Sequence, residues 1–267
     1  MPKIPCFQVD AFTNQPFRGN PAAVVLLEEE APADWMQKVA AEMNLSETSF
    51  VWPKSNGFGL RWFTPTIEVD LCGHATLAAA HILWETGRLE KSETIPFHTK
   101  SGLLPIVQRE NRIVLDFPVS LIEPTAPPPG LLAALSLEPR YVGKTRFDLL
   151  IEVDAEETVR TLRPDFAKLV QVNTRGIMVT CRANDPDYDF ISRFFAPAAG
   201  INEDPVTGSA HCALGPYWQQ RLGKEHLRAF QTSSRGGEVS VHCLGDRVHL
   251  SGQAVTTWQG EWLIYPR

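Results

Sequence analysis

The sequence predicts an α+β protein of two pseudo-symmetric lobes, each a mixed β-sheet around a central helix. Three observations carry this reading. Short apolar strand-like runs alternate with helical stretches along the chain, residue patterns of the first half return in the second at a near-constant offset, and a proline-dense stretch separates the halves. The 267 residues, 43% apolar and 21% charged, exceed one domain of roughly 100–200 residues and provide enough apolar material for a real core.

Residues 4–9 and 22–27 are apolar runs separated by the breaker-rich stretch Thr13 to Pro21, the pattern of two strands and a loop. Pro32 and Asp34 then open a helix in which Met36, Val39, Ala40 and Met43 follow helical spacing, with its end near Asn44. Strands follow at Phe50-Val51-Trp52 and at Leu60-Arg61-Trp62-Phe63, and Pro65 ends regular pairing. Gly73 to Trp84, rich in Ala and Leu and followed by Gly87, reads as a buried helix. Residues 103–108 and 112–117 flank Glu110-Asn111 as a hairpin. The expected boundaries are therefore a first lobe at 1–118, a linker at 119–130 with Pro124, Pro127, Pro128 and Pro129, and a second lobe at 131–267.

The second half repeats the order: strands at 176–181 and 189–195, a helix from Gly208 and a hairpin around Gly245-Asp246. Arg61-Trp62-Phe63-Thr64-Pro65 matches Arg193-Phe194-Phe195-Ala196-Pro197 at an offset of 132. Gly73-His74-Ala75 with Gly208-Ser209-Ala210, Gly102 with Gly237, and Arg112 with Arg247 then hold an offset of 135. One shared register across a strand, a helix start and a hairpin points to internal duplication.

Composition excludes several classes. A net charge of -6 supplies no basic footprint for nucleic acid. No stretch approaches the roughly 20 apolar residues of a membrane span, and the start of the chain has no apolar signal segment, so a cytoplasmic location is expected. Cys6, Cys72, Cys181, Cys212 and Cys243 are scattered, which argues for buried thiols and against disulfides. No acidic ligand stands at metal spacing beside His74, His81, His211 or Cys212, so no metal site is expected.

A helix N-terminus leaves backbone N–H groups unpaired and carries about half a positive charge. Glycine at both repeat-related helix starts, Gly73 and Gly208, lets a ligand approach the backbone closely, so the two starts facing one cleft would hold an anion such as a carboxylate. The bland alternative is that each glycine merely ends a loop.

The chain also resembles the phenazine-biosynthesis PhzF-like family, which shares the diaminopimelate epimerase fold. The resemblance rests on Val9-Asp10-Ala11-Phe12-Thr13, Phe17-Arg18-Gly19-Asn20-Pro21-Ala22, Leu45-Ser46-Glu47-Thr48-Ser49-Phe50, Cys72-Gly73-His74-Ala75-Thr76 and Glu203-Asp204-Pro205-Val206-Thr207-Gly208-Ser209-Ala210-His211. It implies barrel-like curved sheets, a homodimer, no cofactor, and a small carboxylate substrate held between the lobes. It further implies Glu47 as the acid/base residue, with His74 and Asp204 as catalytic partners. Asn20, Ser46, Gly73, Thr207, Gly208 and Ser209 are the substrate-binding positions of the same motifs. Without the resemblance, Glu47 reads as a solvated residue between a helix end and a strand, and Ser209 and Asp204 as ordinary cap and turn residues.

The implied chemistry is isomerisation: Glu47 removes a proton beside a carboxylate and returns it at another carbon. Two other readings stand beside it. A two-base epimerase needs facing thiols, and Cys72 sits at one such place, but the repeat-related residue is Thr207 and Cys212 lies inside the helix. A protein of the same fold that only binds a metabolite, or acts as an interaction partner, is the third.

Overall fold

In the computed structural model, which describes residues 3–264, the first apolar run forms β1 (Ile4–Ala11), paired antiparallel with β2 (Asn20–Leu26). The second strand starts earlier than its apolar run, because the turn before it closes tightly. Gly19 has φ +65°, and a Cβ there would stand 2.1 Å from the carbonyl oxygen of Ala11, so only glycine delivers Asn20 to the strand start. Helix α1 (Ala33–Met43) follows Pro32 and ends at Asn44 in the left-handed conformation, burying Met36, Val39 and Ala40. Then come β3 (Glu47–Lys54), β4 (Gly57–Phe63) and the short β5 (Glu68–Val69).

Helix α2 (Gly73–Glu85) is buried from His74 to Trp84 except at His81, as expected for a helix apolar on all sides that is enclosed by its own sheet. Its alanines let β1, β2, β3 and the C-terminal strand approach closely. Beyond it run β6 (Ile95–Thr99), β7 (Gly102–Arg109) and β8 (Arg112–Pro118), the last two joined through Glu110 at φ 53°.

The 119–130 stretch departs from expectation. Rather than hanging between domains, it is bonded to later parts of the chain: Val119 N–H donates to Asp246 O, Ser120 N–H to Cys212 O, and β9 (Glu123–Pro124) pairs with β10 (Tyr141–Lys144). A two-residue edge strand tolerates proline because few of its N–H groups need partners.

The second unit continues with α3 (Leu131–Leu135), β11 (Asp148–Glu152), α4 (Glu156–Thr161), α5 (Phe166–Leu169), β12 (Gly176–Arg182) and β13 (Phe190–Ala196). It is completed by β14 (Ile201–Asp204), α6 (Gly208–Leu222), β15 (His226–Gln231), β16 (Gly237–Leu244) and β17 (Arg247–Gly252). One apolar cluster, including Leu149, Ile151, Val179, Ile191 and Phe195, fills one side of its sheet.

The boundaries also differ from the expected 1–118 and 131–267. One unit runs to Asp116 and resumes at Ser251, and the other spans Phe117–Leu250. The reason is β18 (Ala254–Trp262), which pairs antiparallel with β1 from Ile4↔Trp262 to Ala11↔Ala254. Sequence pattern identifies a strand but not its partner, and here the partner is some 250 residues away.

The duplication is explicit in the pairing rules. In the first unit β2–β3 is parallel, β3–β4 and β4–β5 antiparallel, β4–β6 parallel and β6–β7 antiparallel. In the second, β11–β12, β12–β13, β13–β14, β13–β15 and β15–β16 repeat that series in the same order.

Candidate active site

In the first unit, Asn20 opens β2 and Glu47 opens β3, and because these strands are parallel, with Ala22 opposite Glu47, both residues stand at one end of the pair. The N-terminus of α2 reaches the same end. Ser49 Oγ–H donates to the carbonyl of Ala75 at 2.9 Å, which pins the first helical turn to β3. His74 therefore lies against Glu47, with Nε2 3.2 Å from Oε2. On the other side of the ring, Nδ1 is 3.3 Å from Asn20 Nδ2 and 3.5 Å from Cys72 Sγ. Ser46 occupies the bend just before β3.

The electrostatics of this end are set by burial and by neighbouring anionic groups. Burial disfavours a charged His74, but the anionic forms of Cys72 and Glu47 outweigh it and hold the imidazole pKa well above its ordinary value. Burial raises the Cys72 thiol, with the Glu47 carboxylate adding to the effect and the neighbouring His74 opposing it. The fold thus supplies what sequence spacing did not: an acidic group against Cys72 and His74. His81 also has one, Glu85 at 3.6 Å one helical turn on, contrary to the expectation that no acidic group stands beside it.

The backbone at α2 offers further donors. Cys72, the residue before the helix, is extended at φ −144° and makes no side-chain cap to the start of α2. The same holds at α6, where Thr207 stands at φ −113° without capping. Among the described residues, neither Gly73 nor Gly208 has a positive φ, so the use of glycine at these positions is its small size rather than its backbone freedom.

In the second unit Asp204 ends β14, and its Oδ2 accepts from Thr207 Oγ1 at 2.5 Å. Gln231, fully buried at the end of β15, holds this turn: its Oε1 accepts from Thr207 N–H at 2.9 Å, and its Nε2 donates to Asp204 O at 2.7 Å. Ser209 is exposed and lies 3.4 Å from Nη2 of Arg175, which Asp148 grips with both carboxylate oxygens. Sequence reasoning missed Gln231 and Arg175. The only available signal for Gln231 was a polar residue closing an alternating strand, and that pattern is common. The repeat-related partner of Cys72 is Thr207, whose hydroxyl is engaged with Asp204, and the Cys212 thiol is pushed by burial to about 12. A pair of facing thiols is not what these residues supply.

Trp52, Trp62, Trp218 and Tyr217 are core residues. All five cysteines are buried and free. Among the described residues, no helix is long and apolar enough to cross a membrane.

Taken together, the architecture and helix-start motifs define an α+β protein of the diaminopimelate epimerase-like fold. The chain belongs to the phenazine biosynthesis-like (PhzC-PhzF) family, whose profile matches residues 9–260. It is 53% identical to a protein of Halalkalibacterium halodurans named as an uncharacterized isomerase, over 99% of this chain and 100% of that one. A crystal structure of a PhzF-family protein from Enterococcus faecalis superposes with a TM-score of 0.93 at 41% identity, covering 98% of this chain and 100% of that one. A protein of Pseudomonas aeruginosa described as a predicted epimerase shares the fold, with a TM-score of 0.73 at 22% identity, covering 98% and 99% of the two chains.

Proposed function

We propose that the protein is a cofactor-independent isomerase that moves a proton on a small carboxylate-bearing molecule, with Glu47 as the acid/base group. The observation that carries this reading is the contact between His74 and Glu47, 3.2 Å apart at the end of a parallel strand pair and beside the uncapped start of α2. The carboxylate of Glu47 takes a proton from a carbon next to the substrate's carboxylate. The C–H electrons pass into the conjugated system as an enolate-like charge, and Glu47 then returns the proton at a different carbon, so no atom is gained or lost. Gly73 N–H and the start of α2 face that developing charge with fixed dipoles, which stabilise it better than mobile water does. His74 positions the carboxylate and itself is held by Asn20.

Asp204, Thr207, Gly208 and Ser209 are the corresponding set in the second unit. Asp204 has a proton-relaying role by motif, and Thr207, Gly208 and Ser209, like Asn20, Ser46 and Gly73, bind substrate. Relatives named as isomerases support the reaction class. The same reading takes a homodimer as the assembly and the cytoplasm as the compartment.

The test is proton exchange. The protein is incubated in deuterium oxide with a panel of cyclic and acyclic carboxylates, and loss of C–H signals is followed by NMR. Glu47→Gln should keep the fold and lower exchange by at least about a hundredfold, the lower range for a general acid/base group. Exchange undiminished in Glu47→Gln would overturn the assignment. A protein that binds a carboxylate without exchanging any C–H is a binder of the same fold.

A further inference from the structure

We infer that Arg175 is a substrate-binding residue and that it gives the protein a preference for molecules carrying a second carboxylate. This role rests on the proposed function, in which the second-unit motif around Ser209 binds substrate. Strand register locates the residue. In the first unit Thr48 pairs with Phe63, and in the second Ile177 pairs with Phe195, the counterpart of Phe63 in the repeat. Aligned through these pairs, Gly176 stands at the place of Glu47 and Arg175 at the place of Ser46. Likewise Ser209 stands at the place of His74, each being the second residue of its helix. Where His74 meets Glu47 in the first unit, Ser209 meets Arg175 in the second, with Oγ 3.4 Å from Nη2.

The second unit therefore has no carboxylate at this place, and Gly176 shows why none fits. A Cβ there would stand 2.1 Å from Cζ of Phe194. The second unit presents a guanidinium instead, and that guanidinium is both open and fixed. Its side chain is 45% exposed, yet Nε and Nη2 donate to Oδ1 and Oδ2 of the buried Asp148 at 2.8 and 2.5 Å, and Cζ lies over the ring of Phe147 at 5.1 Å. Long side chains lose freedom when they bind a ligand, and here that loss is taken in folding.

Asp148 occupies one edge of the guanidinium fork. Among the described residues, the edge formed by Nη1 and Nη2 hydrogen-bonds only to Ser209. Asp148 also cancels the charge at a distance, so recognition works through direct paired N–H contacts, which match a planar carboxylate. Ser209 O–H donates to the same group. In the proposed reaction the carboxylate beside the reacting carbon faces the start of α2, so Arg175 takes a second one.

The experiment compares fumarate, trans-glutaconate and trans,trans-muconate, each with its monomethyl ester, by calorimetric titration of the full-length protein. We expect at least one diacid to bind about tenfold or more tighter than its ester, the scale of a hydrogen-bonded charge pair. Arg175→Gln should bring that pair to within about twofold, by weakening the diacid and leaving the ester unchanged. Arg175→Lys, which keeps the charge but not the fork, should restore only part of the preference. A structural role would instead lower the melting temperature and weaken both members of the pair together. Native protein that binds no diacid more tightly than its ester overturns the role, whether or not any variant folds. A preference that survives Arg175→Gln overturns it as well. Deuterium exchange on the same compounds separates the two readings. Glu47-dependent exchange without a diacid preference leaves the isomerase standing and removes Arg175 from it, whereas the preference without exchange keeps Arg175 as a binding residue and removes the isomerase.

Discussion

The two histidines one residue into and near the start of the repeat-related helices have opposite environments. His74 sits beside carboxylate and thiol, whereas His211, fully buried in α6, donates from Nδ1 to Thr207 O at 2.8 Å and stacks on Phe190. Burial lowers the His211 pKa from 6.5 to about 4, a loss that the bond to Thr207 offsets only in part. The folded protein therefore refuses a proton that the unfolded chain accepts below pH 6.5. Stability should fall as pH drops from 6.5 towards about 4, by roughly 3 kcal/mol from this residue alone. Urea unfolding of native protein and His211→Gln across that range checks it: the variant should show a shallower decline, and parallel curves would contradict the assignment.

At the scale of elements, each unit locks the strand before its central helix with one arginine. Arg61 on β4 grips both oxygens of Glu68 on β5, at 2.7 and 2.9 Å. Arg193 on β13 grips Glu203 on β14 at the same two distances. Each arginine also lies over the phenylalanine two residues on, Phe63 at 5.2 Å and Phe195 at 4.9 Å. These grips fix the entry to Cys72 on one side and to Asp204 on the other. Arg193 donates in addition to Val159 O and Leu162 O, so its loss orphans buried carbonyls as well as a carboxylate. Arg193→Ala should destabilise by about 4 kcal/mol and Arg61→Ala by roughly half of that, measured by urea titration. Equal losses would mean that the carbonyl contacts contribute little.

Across the whole molecule, the elements of the first unit were legible because their signals are local: breakers bracketed the strands, Asn44 and Gly87 ended helices, and the shared offset exposed the duplication. The last strand was not read from the sequence at all, and its pairing with β1 leaves no local trace. The site was legible in pieces. Motifs supplied Glu47, His74 and Asp204, but the approach of Glu47 to Cys72, and the hold of Gln231 on Thr207, arise from chain segments far apart in sequence. The strand also makes a prediction: β1 lies between β2 and β18, so ending the chain at Gln253 strips β1 of one full ladder. That truncation should leave no cooperative thermal transition for the first unit, while a transition from the second persists; a native-like melting profile would contradict it.

The return of β18 to β1 also orders events during synthesis. Residues 117–250, continuous along the chain, emerge complete while the first unit still lacks a strand. On the ribosome, the half made second is thus the first able to close, and the half made first must wait until β18 has emerged.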